Sequence, residues 1–110
     1  MGKAQRTKGQ AFERFIANEL KPIDSTARRN VSESQEGSYD ILTELPIALQ
    51  CKCFSKWHVS PHSIWQQAKD HAGTRIPVGV VRIDRKKPDL AIISWDDFKE
   101  LIRIYYGKTE

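Results

Sequence analysis

No stretch of this 110-residue chain approaches the roughly 20 consecutive apolar residues that a membrane helix requires, so no membrane-spanning helix is expected. The basic opening Met-Gly-Lys-Ala-Gln-Arg has no apolar segment behind it, which is not the pattern of a secretory signal. Internal repeats, low-complexity tracts and linker-like stretches are also missing, and the length suits one domain spanning residues 1–110. Cysteine is scarce: Cys51 and Cys53 stand two apart. A disulfide between such close neighbours is strained, and a lone Cys-x-Cys is a poor metal site, so both read as reduced core residues of a cytoplasmic protein. A strong excess of one charge is absent as well. Lys and Arg total 18 against 14 Asp and Glu, a net charge of +4 that favours a polyanionic partner without requiring one.

What is present centres on residues 40–53. Asp40–Thr43 reads as a short strand, Glu44–Pro46 as a turn, and Ile47–Cys53 as the returning strand of a hairpin. The second strand alternates, with Ile47, Leu49, Cys51 and Cys53 on one face and Ala48, Gln50 and Lys52 on the other. Gln50 and Lys52 therefore project together, and the turn brings Asp40 towards them. An acid, an amide oxygen and an ammonium converging on one sheet face suit metal binding and activation of a nucleophile.

Upstream, residues 1–6 read as a basic arm, and Thr7 as the cap of a helix from Lys8 to Leu20 that Lys21-Pro22 ends. Phe12, Ile16, Leu20 and Ala17 form its apolar stripe, and Glu13 falls inside that stripe. A carboxylate there needs a basic neighbour, a cation or water. Residues 24–30 read weakly as a strand, and Asn30–Ser38 as a loop leading into Asp40. Downstream, Ser60-Pro61 opens a helix that Gly73 stops. Strands at Pro77–Ile83 and Asp89–Ile93 follow, then a helix opened by Ser94 and a tail from Gly107 to Glu110. The order is α-β-β-β-α-β-β-α, an α/β fold with a mixed central sheet flanked by helices.

Asp40 followed by Gln50-Cys51-Lys52, with the helical Glu13 upstream, resembles the PD-(D/E)xK nuclease superfamily, whose restriction-endonuclease-like core has the order α-β-β-β-α-β. Within it the chain is most similar to the archaeal and phage Holliday junction resolvases. Lys8-Gly9-Gln10-Ala11-Phe12-Glu13-Arg14 resembles their opening helix, and Arg28-Arg29-Asn30-Val31-Ser32 their basic strand and loop. Ile76-Pro77-Val78 resembles their strand after the second helix. The resemblance runs from about residue 7 to 83, leaving the last strand and helix as additions.

The resemblance implies a metal-dependent endonuclease that resolves four-way DNA junctions by paired nicks, acting as a homodimer with Mg2+, for which Mn2+ substitutes. Glu13, Asp40, Gln50 and Lys52 match the four catalytic positions, with Glu13, Asp40 and Gln50 as metal ligands and Lys52 as the group that orients water or stabilises transition-state charge. Lys8, Arg28, Arg29, Ser32 and Lys56 are the candidate DNA contacts. Two positions depart from the pattern. Tyr39 stands where the motif has proline, and Gln50 where resolvases carry a carboxylate. The Gln-x-Lys version resembles that of Mrr-type endonucleases acting on duplex DNA. The lost charge also suits a catalytically disabled junction-binding form.

Overall fold

Ile47–Cys53 forms the strand that its alternating residues predict, with α1 packed on one of its faces and α2 on the other. The computed structural model describes residues 2–31, 39–84 and 86–107, with side chains from Lys8 onward. Its elements are α1 (Gly2–Leu20), β1 (Arg28–Arg29), β2 (Ile41–Leu42), β3 (Ile47–Cys53), α2 (Pro61–Asp70), β4 (Ile76–Arg82), β5 (Leu90–Ile92) and α3 (Trp95–Gly107). β3 pairs with β4 in parallel and β4 with β5 antiparallel, giving a mixed three-stranded sheet of order β3-β4-β5. Among the described residues no helix is long and apolar enough to cross a membrane.

On one face of this sheet Leu49, Cys51 and Val78 meet Phe12, Ile16 and Ala17 of α1. Each large side chain buried there contributes roughly 1.5–3 kcal/mol. On the other face Ala48, Val81 and Gly79 lie under Ile64 and Ala68 of α2, all of them buried. The Ser60 hydroxyl caps α2 by accepting from the Ser63 N–H at 3.1 Å, with Pro61 in the first turn. Gly73, at φ +60°, takes the left-handed turn after the helix that side-chain-bearing residues resist.

The order matches the sequence reading, but three local expectations change. α1 starts at Gly2, so residues 2–6 are helical and Thr7 is not its cap. Ala4, Gln5, Arg6 and Lys8 are all good helix formers, and nothing among them stops the helix from extending. The strand read over residues 24–30 shrinks to Arg28–Arg29, because the Asp24 carbonyl and carboxylate fold the preceding residues into turns. The hairpin between β2 and β3 does not form a ladder. β2 pairs antiparallel with β1, and only the Asp40 N–H reaches β3, donating to the Leu49 carbonyl at 2.8 Å. Arg75 instead serves the connection, its guanidinium donating to the carbonyls of Thr43 at 2.9 Å and Ile47 at 3.3 Å.

Asp24 ties this connection to the end of α1. One carboxylate oxygen accepts from the Thr26 N–H (3.0 Å) and hydroxyl (2.7 Å), the other from the Thr43 hydroxyl (2.5 Å) and the Glu44 N–H (2.8 Å). These donors, the Thr26 hydroxyl foremost, hold the carboxyl well below the usual range. A depressed carboxylate contributes stability above its unfolded pKa that is lost as pH falls through the folded value. Asp24→Ala is therefore expected to lower Tm at pH 7 by on the order of 10 °C. The gap to the parent protein should narrow in melts at pH 3, and a gap independent of pH would contradict this account.

At the far end of β4, Arg82 makes a two-pronged ion pair with Asp89, at 2.8 and 2.9 Å, and its guanidinium lies 4.9 Å from the Phe12 ring and 4.6 Å from the Phe15 ring. Its charge belongs to the packing of α1 on the sheet.

Candidate active site

The site grows from one deviation in the backbone. Asp40, just before β2, bridges two segments: its carbonyl accepts from the Asn30 N–H beyond β1 and its own N–H reaches the edge of β3, both at 2.8 Å. There its Oδ2 accepts from the Cys51 N–H at 2.7 Å, and this bond, with the Asp40 N–H on the Leu49 carbonyl, fixes the carboxylate beside the Gln50–Cys51 peptide. Burial pushes the Asp40 carboxyl up to about 6; the Cys51 N–H opposes this, the charge of Glu13 adds to it, and those of Lys52 and His71 oppose it. Charges carried by α1, β3 and the residue after α2 thus all act on Asp40.

Glu13 stands half-buried on the apolar stripe of α1, and Arg29 of β1 ion-pairs with it at 3.2 Å. Both side chains are about one-fifth exposed, at 21% and 20%. The stripe carboxylate therefore has a basic neighbour, and Arg29, a candidate DNA contact, is turned towards the site's acid.

Gln50 and Lys52 project towards α2, as their pairing in register with Gly79 and Val81 requires. Gln50 is only 8% exposed, and among the described residues its Oε1 has no hydrogen-bond partner. A buried oxygen left without a donor typically costs about 1–3 kcal/mol, so this position favours an electropositive occupant. Lys52 lines a small cavity of about 140 Å³ with Phe54, Val59, Ser63, Ile64 and Gln67. Next to it on β3 the Cys51 thiol is pushed up by burial and by the neighbouring carboxylates, which leaves it protonated and unreactive. Cys53 is half-buried, and neither cysteine is in a disulfide.

Among the described residues no three His, Cys, Asp or Glu side chains gather into a metal-holding group. The donor set on offer is instead two carboxylates, Asp40 and Glu13, and the Gln50 amide oxygen. Hard oxygens of this kind suit Mg2+ or Mn2+, and both a desolvated carboxylate and a buried oxygen without a donor are relieved by a cation. In donor chemistry these oxygens suit such an ion, with Gln50 on the α2 side of β3 and Glu13 on α1 across the sheet.

The candidate DNA contacts separate. Lys8, exposed on α1, meets the connector after β3 and lines a cavity of about 320 Å³ with Cys53, Phe54, Ser55 and His58. Lys56 is exposed in the same connector, where its carbonyl lies 3.0 Å from the His58 Nδ1. Arg28 is exposed, with its guanidinium on the Thr26 carbonyl at 2.9 Å. Ser32 lies outside the described residues.

Two further residues bear on the site through the placement of α2. The charge of His71, the residue after α2, acts weakly on the Asp40 carboxyl, and Gln67 shares the Lys52 cavity because α2 crosses the sheet at that point. Both depend on where α2 lies on the sheet, which no local spacing encodes. Comparison of the chain with protein-family models, with curated proteins and with solved structures finds no match.

Proposed function

We propose that the protein is a metal-dependent endonuclease of the restriction-endonuclease-like fold that resolves four-way DNA junctions by paired nicks. The observation that carries the proposal is the buried Gln50 oxygen without a donor, on the strand residue next to a carboxylate that burial has raised to about 6. The element order, the parallel β3–β4 pair and the helices on opposite faces support the same reading.

Asp40, Gln50 and Glu13 would hold a Mg2+ or Mn2+ ion. When bound, the ion neutralises charge on a scissile phosphate and makes a water easier to deprotonate. Asp40 loses its proton to hold it, and the Cys51 N–H keeps one carboxylate oxygen in a fixed direction. Gln50 contributes an oxygen but no charge, so it cannot act as a base. Lys52 places an ammonium at the mouth of its cavity, where it can donate to the attacking water or to a phosphoryl oxygen as negative charge develops. Arg29 holds Glu13 in place through its ion pair. Lys8, Lys56 and Arg28 supply exposed positive charge for the DNA backbone. Paired nicks need two sites, and for one small chain that means a homodimer.

Cleavage of a labelled four-way junction beside a linear duplex of the same sequence, with Mg2+ and with Mn2+, tests this reading. Symmetric nicks in the junction are expected, with Lys52→Met slowing them by about 10²–10³. Gln50→Glu returns a negative charge to the ion and is expected to lower the metal concentration at half-maximal rate by about tenfold. Two other readings draw on the neutrality of Gln50. Comparable cleavage of the duplex identifies an Mrr-like enzyme, and tight junction binding with cleavage only after Gln50→Glu identifies a disabled form. Absence of both binding and cleavage in every variant overturns the nuclease reading.

A further inference from the structure

We infer that α3 is a dimerisation element that binds the α3 of a second copy of this chain in antiparallel orientation. The inference rests on α3 and its surroundings and not on the nuclease reading.

Taking about 100° per residue, Leu101, Tyr105, Phe98, Ile102, Trp95 and Tyr106 fall in an arc of about 140°. An apolar stripe of that width is what a helix ordinarily buries against its own domain. Here no residue of α3 is buried: Trp95 is 66% exposed, Ile102 47% and Tyr105 75%. The helix therefore has the pattern of an interior element and the surroundings of a surface one. At roughly 100 Å² for each large side chain, the stripe presents on the order of 500–600 Å², at the upper end of what a monomer usually exposes. With the adjoining groove it approaches the ~800 Å² per partner of a stable protein interface.

Self-complementarity selects a second copy as the occupant. At the N-terminal end of α3 an apolar groove of about 440 Å³ is lined by Pro61, His62, Trp65, Ile92, Ile93 and Trp95. At the other end, about 15 Å along the axis, stand the exposed rings of Tyr105 and Tyr106. A two-fold axis across the middle of the helix places each copy's tyrosines at its partner's groove, so one contact is made twice, as an isologous interface requires. The charges agree. Asp96, Asp97 and Arg103 all fall outside the stripe, so antiparallel pairing buries none of these charges. Arg103 is ion-paired with Glu100, and Lys99 with Asp96 at 3.3 Å. Both are exposed pairs within one turn, which contribute little and exchange readily.

Light scattering after size exclusion, at micromolar protein, is expected to give twice the 12.7 kDa mass of the chain. Ile102→Asp and Tyr105→Asp should each weaken the dimer at least tenfold, with the melting curve of the monomer preserved because both sites are exposed. Ile104→Asp is the control. That residue is equally exposed but lies about 180° from Trp95, outside the stripe, so the mass should stay doubled. Orientation is read by mixing a Trp95→Cys protein with a Tyr106→Cys protein under oxidation, where antiparallel pairing cross-links the mixture and neither protein alone. A monomeric parent protein, or a dimer that survives Ile102→Asp, overturns the proposal. Cross-linking of each cysteine protein with itself overturns the antiparallel arrangement.

Discussion

Asp40→Asn is expected to abolish metal-dependent cleavage and, at neutral pH, to make the protein more stable. Burial raises the Asp40 carboxyl to about 6 from an ordinary 3.8. Between those values the folded chain holds a proton that the unfolded chain has released, so stability falls as pH rises through this window. Ionised Asp40 at pH 7 therefore lowers stability by on the order of 3 kcal/mol relative to its protonated form. Asparagine removes the charge and keeps an oxygen to accept from the Cys51 N–H. Part of the gain is lost because a neutral acceptor makes a weaker bond, leaving a net rise of about 1–2 kcal/mol, or 5–10 °C in Tm. Denaturant titrations across pH 4–7 check the sign: the parent protein should lose stability over this range relative to the variant. Mg2+ should restore stability to the parent protein and not to Asp40→Asn, a readout independent of cleavage. A variant that melts lower at pH 7, or that still cleaves, contradicts the placement of the charge. The position has the character of a functional site, where an unfavourable group is retained for what it binds.

The second large effect lies under α2. Gly79 of β4 is the residue on which Ile64 rests: a Cβ built there falls 2.5 Å from the Ile64 Cγ2. That methyl belongs to a branched, 2%-exposed side chain close to its own backbone, so it cannot swing aside as the end of a lysine could. Gly79→Ala thus forces α2 away from the sheet and is expected to cost about 3 kcal/mol, or 10–15 °C in Tm. Gln50 pairs in register with Gly79, and Lys52 shares its cavity with Ile64, so the displacement also opens the candidate site. Ile64→Ala alone leaves a cavity and destabilises by about 2–4 kcal/mol. Combined with Gly79→Ala it removes the colliding methyl, so the pair should cost clearly less than the sum of the singles. Additive losses in thermal melts would show that the close approach is not what makes glycine necessary.

Much of the secondary structure is legible without coordinates because its signals are local. The alternation Ile47, Leu49, Cys51 marks β3 to the residue, and Ser60-Pro61 marks the start of α2. Both depend on side chains within a turn or two of each other. The start of α1 was less legible, since Thr7 offers a cap that the preceding helix formers override. The separation of Gln50 and Lys52 from Leu49 and Cys51 onto opposite faces follows from the pleat alone. Asp40 was expected beside β3, and it is there, though through one backbone bond and a carboxylate on the Cys51 N–H where a hairpin ladder was expected.

By itself, then, the sequence determined the element order, which residues of each strand and helix share a face, and which polar side chains interrupt an apolar stripe. These are consequences of backbone periodicity, which acts over a few residues. Tertiary structure alone decided that Glu13 meets Arg29, that Asp24 gathers Thr26, Thr43 and Glu44, that His71 bears on Asp40, and that the apolar stripe of α3 is left uncovered. Each of these depends on distances between segments remote in the chain, and those distances are set by how closely α1 and α2 pack on the sheet.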